Sequence, residues 1–181
     1  MIKKITYEEL LQTRKNVAEA KTTTKFPITV ILDNIRSLYN VGSIFRTCDS
    51  ALVNELILTG FTPFPPRKEI EKTALGATET VVWRYEKNII EAIKFQKNKG
   101  EKIIAVEITN TKRNCFSLEA KDFPVCFVLG NELTGISDDI LMECDDAIEI
   151  PMFGVKHSLN VGVAAGIVIY TAVHRCTNCG S

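Results

Sequence analysis

Three polar loops of the chain carry side chains whose types and spacing could do chemistry. The first runs from Asp33 to Thr47 and contains Asn40, Gly42 and Arg46. An arginine guanidinium can bind a phosphate or a carboxylate through two parallel hydrogen bonds, and a glycine lets a ligand approach the start of a helix. Taken alone, this loop does not outweigh a plainer interpretation, in which a surface arginine lies on a helix capped by an asparagine.

The second loop, Val128–Ser137, places Glu132 between Gly130 and Gly135, directly after an apolar run. It matches neither the GxGxxG pattern of dinucleotide-binding domains nor the GxxxxGK[ST] pattern of triphosphate-binding loops. A carboxylate in a tight loop after a buried strand is an unusual position for a residue that only aids solubility. We therefore predict that Glu132 pairs with Arg46, either as a structural salt bridge or as a group that orients the arginine.

The third loop, Ile150–Asn160, leads into a helix that has almost no polar face. Ser158 and Asn160 lie where this helix begins, so each is a candidate for the site or for the helix N-cap. A helix that is apolar all round must be buried, in a core or at a subunit interface.

Strands and helices alternate along the chain, which predicts one α/β domain with a mostly parallel sheet and helices on both faces. Ligands of such sheets bind beyond the carboxyl ends of the strands, so the three loops are expected to meet at one edge. The predicted strands are Ile28–Leu32, Glu55–Thr59, Thr80–Tyr85, Lys102–Ile108, Pro124–Leu129 and Ala147–Ile150. The predicted helices are Val41–Ala51, Arg67–Leu75, Lys87–Lys99, Asp138–Glu143 and Asn160–Arg175. Ser137 is the expected N-cap of the fourth helix.

The segment 1–27 is predicted to be a helical extension of a domain that spans residues 28–181. Thr6 and Glu9 have the spacing of a capping box, and the segment Thr22–Pro27 ends the helix. The extension has a modest excess of basic side chains, but the whole chain has 22 basic and 22 acidic residues. A net charge of zero argues against a protein that binds nucleic acid through its overall charge. It does not exclude local basic patches.

Composition and hydropathy predict a cytoplasmic protein without a metal centre. The start of the chain has no secretory signal, and the longest apolar run, Val161–Val173, is too short to span a bilayer. The six cysteines fit no disulfide framework. Cys176 and Cys179 form a CxxC pair, but no second pair or HxxxH is present to complete a zinc site. We interpret this pair as part of a frayed C-terminal tail.

Together, the three loops resemble the three ordered motifs of the SpoU/TrmH methyltransferases of the SPOUT superfamily. The resemblance rests on Asn40-x-Gly42-x-x-x-Arg46, on Leu129-Gly130-Asn131-Glu132-x-x-Gly135-Ile136-Ser137, and on Ile150-Pro151-Met152-x-Gly154 leading to Ser158-Leu159-Asn160-Val161. Each motif is weak alone, whereas three in this order are highly specific and frame residues 33–175. The segment Lys72–Ala77 is also similar to this family, but we assign it no chemistry.

The resemblance implies a Rossmann-like α/β domain whose C-terminal part is threaded into a trefoil knot, which no periodicity could indicate. It implies S-adenosylmethionine as the cofactor, held in the knot largely by backbone groups of the second and third motifs. It also implies a homodimer with active sites at the interface, where the arginine of the first motif can come from the other protomer. The residues implied to bind the cofactor are Leu129, Gly130, Ile150, Met152, Ser158 and Leu159.

The implied activity is transfer of a methyl group to a ribose 2′-hydroxyl of RNA, with tRNA as the leading candidate and rRNA as the alternative. The implied catalytic residues are Arg46, Asn40, Glu132, Ser158 and Asn160. The resemblance implies that Arg46 is the central catalytic residue, for which the family suggests the role of general base, but a guanidinium stays protonated in proteins. We expect Arg46 to bind the substrate phosphate and stabilise the developing alkoxide. Asn40, Glu132 and Asn160 would orient Arg46 and the ribose, and Ser158 would anchor its loop.

One departure and one rival hypothesis accompany this interpretation. Gly162 stands where many relatives have a second serine, a change expected to affect a detail of the cofactor site rather than the activity. The rival is a non-catalytic RNA-binding or dimerisation module with the same fold, because a fold alone does not determine function. The presence of arginine, glutamate and Ser158-x-Asn160 together favours the enzyme.

Overall fold

The apolar runs of the sequence form a parallel sheet, because strands covered on both faces need no polar side. The computed structural model describes residues 1–178. The strands are β1 (Phe26–Asp33), β2 (Val53–Thr59), β3 (Trp83–Glu86), β4 (Lys102–Val106), β5 (Val125–Leu129) and β6 (Asp146–Ile148). Their order across the sheet is β3-β2-β1-β5-β4-β6, and neighbouring strands are parallel throughout. The predicted α/β architecture is confirmed, and the trefoil knot stays a prediction.

Helices cover both faces of the sheet. They are α1 (Tyr7–Thr13), α2 (Val17–Thr22), α3 (Leu38–Ser50), α4 (Lys68–Ala74), α5 (Ala77–Thr80), α6 (Ile89–Asn98), α7 (Asp138–Met142) and α8 (Val161–Asn178). One core cluster joins α3 and α8 to the sheet through residues such as Phe45 and Val168, and a second joins α6 and α7 to its other face through Ile93 and Ile140. Two short 3₁₀ helices, Cys115–Ser117 and Ala120–Asp122, lie between β4 and β5.

Helix α8 is buried along one face only. Val161, Ala165, Val168, Ile169 and Ala172 are buried against the sheet and α3. The exposed side of the same helix carries apolar residues, since Val163 is 52% and Tyr170 49% exposed. The predicted burial of this helix therefore holds for one face within a single protomer.

Several predicted boundaries differ from the structure. The strand predicted over Thr80–Tyr85 is wrong at its start. Gly76 adopts a left-handed conformation with φ +89° and begins the helical turn α5, so the edge strand β3 starts only at Trp83. Ser137 precedes α7 as predicted, but its side chain makes no capping hydrogen bond.

The N-terminal segment contains two short helices rather than one. Thr6 and Glu9 form the predicted capping box of α1, and Asn16 and Glu19 form a second one that begins α2. Pro27 lies within β1 and does not end a helix. No helix among residues 1–178 is long and apolar enough to cross a membrane. Cys179 of the CxxC pair lies outside the described residues.

Candidate active site

A cavity of about 450 Å³ opens beyond the carboxyl ends of β4, β5 and β6. This is where ligands of open parallel sheets bind, and the volume lies in the range of ligand pockets, about 300–1,000 Å³. The cavity is lined by all six residues predicted to bind the cofactor: Leu129, Gly130, Ile150, Met152, Ser158 and Leu159. Two of the three motif loops therefore meet at the predicted edge of the sheet.

The second motif folds into a tight loop that requires its glycines. The backbone N–H of Asn131 donates to the carbonyl of Gly135, and that of Gly135 donates back to the carbonyl of Asn131 at 2.9 Å. A Cβ on Gly130 would lie 2.5 Å from the carbonyl carbon of Gly135, so a side chain there would force the loop open. Gly135 has φ +66°, which is costly for other residues.

Glu107, which the sequence analysis missed, holds this loop from the side. Its carboxylate follows β4 and accepts a hydrogen bond from the backbone N–H of Ile136 at 3.0 Å. A Cβ on Gly135 would lie 2.3 Å from the same carboxylate. The available signal was a carboxylate directly after an apolar run, the same signal that singled out Glu132. It was hidden because the predicted strand continued to Ile108.

Glu132 joins the second motif to the first, but not through Arg46. Its carboxylate accepts hydrogen bonds from the backbone N–H groups of Arg36 at 2.9 Å and Ser37 at 3.1 Å, and from Asn40 Nδ2 at 3.1 Å. The predicted pairing with Arg46 is wrong within the protomer, because these three donors occupy the carboxylate and Arg46 forms no ion pair among residues 1–178. Burial alone would raise the pKa of Glu132. The backbone N–H groups and the Asn40 amide outweigh it and lower that pKa below its usual value.

Asn160 joins the third motif to the first. Its Nδ2 donates to Asn40 Oδ1 at 3.0 Å, while its own Oδ1 accepts from the backbone N–H of Gly162 at 2.9 Å. Asn160 is therefore both a helix cap and a member of the site. Helix α3 is capped instead by Ser37, which leaves the Asn40 side chain available. A Cβ on Gly162 would lie 3.2 Å from Asn160 Oδ1, a close but small conflict.

Arg46 and Ser158 take no part in the hydrogen bonds that connect Glu132, Asn40 and Asn160. Arg46 is exposed, and its guanidinium makes no hydrogen bond or ion pair with any residue in the described range 1–178. It does not line the cavity, whereas Ser158 does. The structure thus brings together Asn40, Glu132 and Asn160 and sets Arg46 apart from them.

The cavity residues fit S-adenosylmethionine. Apolar side chains such as Leu129 and Ile150 suit the adenine ring, and the carboxylates of Glu107, Asp138 and Glu149 on the cavity wall suit the cationic sulfonium and amino groups. Among residues 1–178, no group of three or more His, Cys, Asp or Glu side chains could hold a metal ion.

Solved structures share this fold. The TrmH/SpoU tRNA modifying enzyme of Aquifex aeolicus is 29% identical, with a TM-score of 0.80 over 96% of this chain and 85% of that chain. An AdoMet-bound rRNA methyltransferase from Sinorhizobium meliloti is 26% identical, with a TM-score of 0.77 over 83% of this chain and 57% of that chain. Fold and cavity together define an α/β methyltransferase domain of the SPOUT type.

Sequence comparison gives the family within that class. The model of the SpoU rRNA Methylase family matches residues 27–170. A tRNA (guanosine(18)-2′-O)-methyltransferase of Thermus thermophilus is 29% identical over 167 residues, which are 92% of this chain and 84% of that protein. The chain belongs to the SpoU rRNA methylase family, which confirms the resemblance found in its three motifs.

Proposed function

We propose that this protein transfers the methyl group of S-adenosylmethionine to a ribose 2′-hydroxyl of tRNA. The observation that carries the proposal is the hydrogen-bonded chain Glu132–Asn40–Asn160, which ties all three motifs together beside the cavity. The Thermus thermophilus and Aquifex aeolicus relatives, which act on tRNA by name, support tRNA as the substrate. Ribosomal RNA is the alternative, because the Sinorhizobium meliloti neighbour is an rRNA methyltransferase.

The roles of the residues follow from their hydrogen bonds. The cofactor supplies an already activated methyl group, so the protein has to hold the ribose hydroxyl in line and help remove its proton. Both ends of the Asn40 amide are engaged, by Glu132 and by Asn160, so these three residues position the loops. Arg46 is the motif cation without a partner in the described residues, and its planar fork can bind a substrate phosphate and stabilise the developing alkoxide.

We propose that the active form is a homodimer in which Arg46 of one protomer completes the site of the other. Arg46 has no partner in the described part of its own chain and does not line its own cavity. The exposed side of α8 carries Val163 and Tyr170, an apolar surface that a second protomer would cover.

We also propose that the N-terminal segment, predicted as residues 1–27, forms an extension separate from the methyltransferase domain, 28–181, with the boundary moved to the start of β1 because Phe26 and Pro27 belong to that strand. Helix α1 buries none of its residues and α2 buries only Ala20, so neither contributes much to the core. With tRNA as the substrate, the proposed location of the enzyme is the cytoplasm.

Two measurements test the proposed activity. Mapping of 2′-O-methyl groups in total RNA from cells with and without the gene should reveal one site, in tRNA, that depends on the gene. Loss of an rRNA site instead would support the alternative substrate, and an unchanged map would support the non-catalytic module. Calorimetry should show binding of S-adenosylmethionine and S-adenosylhomocysteine but not of NAD. Binding of NAD alone would contradict the assignment.

A further inference from the structure

A group of exposed aromatic side chains lies at the same edge of the sheet as the cavity. Phe61 and Phe64 belong to the loop that follows β2, and Tyr85 lies near the end of the neighbouring strand β3. Phe61 is 63%, Phe64 42% and Tyr85 38% exposed, and the rings of Phe64 and Tyr85 are 4.7 Å apart. We call Phe61, Phe64 and Tyr85 the aromatic patch.

Hydrogen bonds connect the aromatic patch to the loop of the first motif and to the loop after β2. The backbone N–H of Phe61 donates to Asn34 Oδ1 at 3.1 Å, and the Tyr85 hydroxyl donates to the carbonyl of Gly60 at 2.7 Å. The carbonyl of Asn34 in turn accepts from Asn131 Nδ2 at 2.7 Å. One residue, Asn34, therefore connects the backbone of the patch to the second motif loop and places the patch beside the site.

Exposed cations lie in the segments that follow β1 and β2, at the same edge of the sheet as the aromatic patch. Arg36 follows β1, and Arg67 and Lys68 follow Phe64. Within the described residues, none of these three side chains has an ion pair or hydrogen bond partner. Glu86, the acidic residue of strand β3, already has a cationic partner, because its Oε2 lies 3.8 Å from Arg84 Nη1. The edge thus combines available ring faces with available positive charge.

We propose that the aromatic patch stacks an unpaired base of the substrate RNA next to the methylated nucleotide, while Arg36 and Arg67 bind the adjoining phosphates. Proteins that recognise unpaired RNA stack its bases on aromatic rings and on arginine. A second copy of this chain fits less well. A two-fold interface over the patch would bring its cations near their own images, and interface centres are depleted of charge. The inference rests on the proposed RNA methyltransferase activity.

Substitutions of Phe61 test whether the ring stacks or only adds apolar area. The probe is a fluorescent, unstructured RNA of mixed sequence, and methyl transfer is measured with total RNA from cells lacking the gene. Phe61→Ala should weaken RNA binding about fivefold or more, since stacking of one base on a ring accounts for about 5- to 150-fold in affinity. Phe61→Trp should retain binding and Phe61→Leu should not. The affinity for S-adenosylmethionine should not change.

Phe95→Ala is the matched control, because Phe95 is 51% exposed but lies on α6, against Arg84 and Lys99. It should bind RNA as the wild type does. Arg67→Ala should reduce the slope of log affinity against log salt by about 0.7, the value for one phosphate of single-stranded nucleic acid.

Three outcomes distinguish RNA stacking on the patch from the alternative explanations. Equal RNA affinity of Phe61→Ala and Phe95→Ala would overturn the proposal. A shift of Phe61→Ala to monomers in sedimentation would also overturn it and identify the patch as an interface between copies. If the wild type transfers no methyl group but loses RNA binding on Phe61→Ala, the stacking of RNA on the patch stands and the proposed activity fails.

Discussion

Glu132→Gln removes one negative charge from the junction between the first and second motif loops and keeps the shape of the side chain. The glutamine oxygen can still accept from the Ser37 N–H and from Asn40 Nδ2, but its NH₂ group then faces the N–H of Arg36. Hydrogen bonds to a charged acceptor contribute about 1.5–3 kcal/mol, against about 0.5–1.5 for a neutral one. Weakening two bonds by about 1 kcal/mol each should lower the free energy of unfolding by about 2 kcal/mol, and the third bond adds little because water can replace the acceptor of the exposed Arg36 N–H.

The pH dependence of this loss of stability shows whether the negative charge of Glu132 causes it. The pKa of Glu132 is lowered from its ordinary value of 4.5, so its stabilisation is fully present above this value and is lost as the pH falls through the folded-state pKa. Urea unfolding from pH 7 to pH 3 should therefore show the difference between wild type and variant shrinking in acid. Glu69→Gln is the control, because the exposed Glu69 makes no hydrogen bond within residues 1–178. A difference that stays constant over this range would refute the reasoning.

A second pair of measurements distinguishes the observed partners of Glu132 from the predicted one. Glu132→Gln combined with Asn40→Ala should show a coupling energy of about 0.5–3 kcal/mol in stability, as residues in contact do. Glu132→Gln combined with Arg46→Ala should be additive within about 0.5 kcal/mol. Strong coupling of the second pair would restore the salt bridge expected from the sequence. Methyl transfer by Glu132→Gln should fall by about 10- to 100-fold, because small displacements of reacting groups are costly.

Two other substitutions test the roles given to Arg46 and to α8. Arg46→Ala should nearly abolish methyl transfer while cofactor affinity in calorimetry stays close to wild type, and Arg46→Lys should rescue little, because an ammonium cannot form a planar fork. Joint loss of cofactor binding and thermal stability would make Arg46 structural. Val163→Asp, on the exposed side of α8, should give monomers of low activity in sedimentation velocity. A wild type that sediments as a monomer at micromolar concentration would contradict the homodimer.

The strands and the edge at which the site lies could be predicted because they depend on local patterns. Apolar runs such as Val125–Leu129 must be covered on both faces, and the loops after parallel strands meet at one edge. The region around Thr80 could not be placed in this way. The residues around Thr80 favour a β-strand, but the left-handed turn at Leu75 and Gly76 starts helix α5 just before them, so Thr80 is helical.

The sequence alone determined the family and the six predicted residues that line the cavity, because the order of the motifs and the positions of the loops do not depend on side-chain conformation. Only the tertiary structure decided which motif residues touch. Asn40 and Arg46 both lie on α3, but six residues at 100° each place them about 120° apart around the helix axis. Asn40 therefore meets Glu132 and Asn160, while Arg46 faces away from them. That rotation is fixed by the apolar face that α3 buries against the sheet.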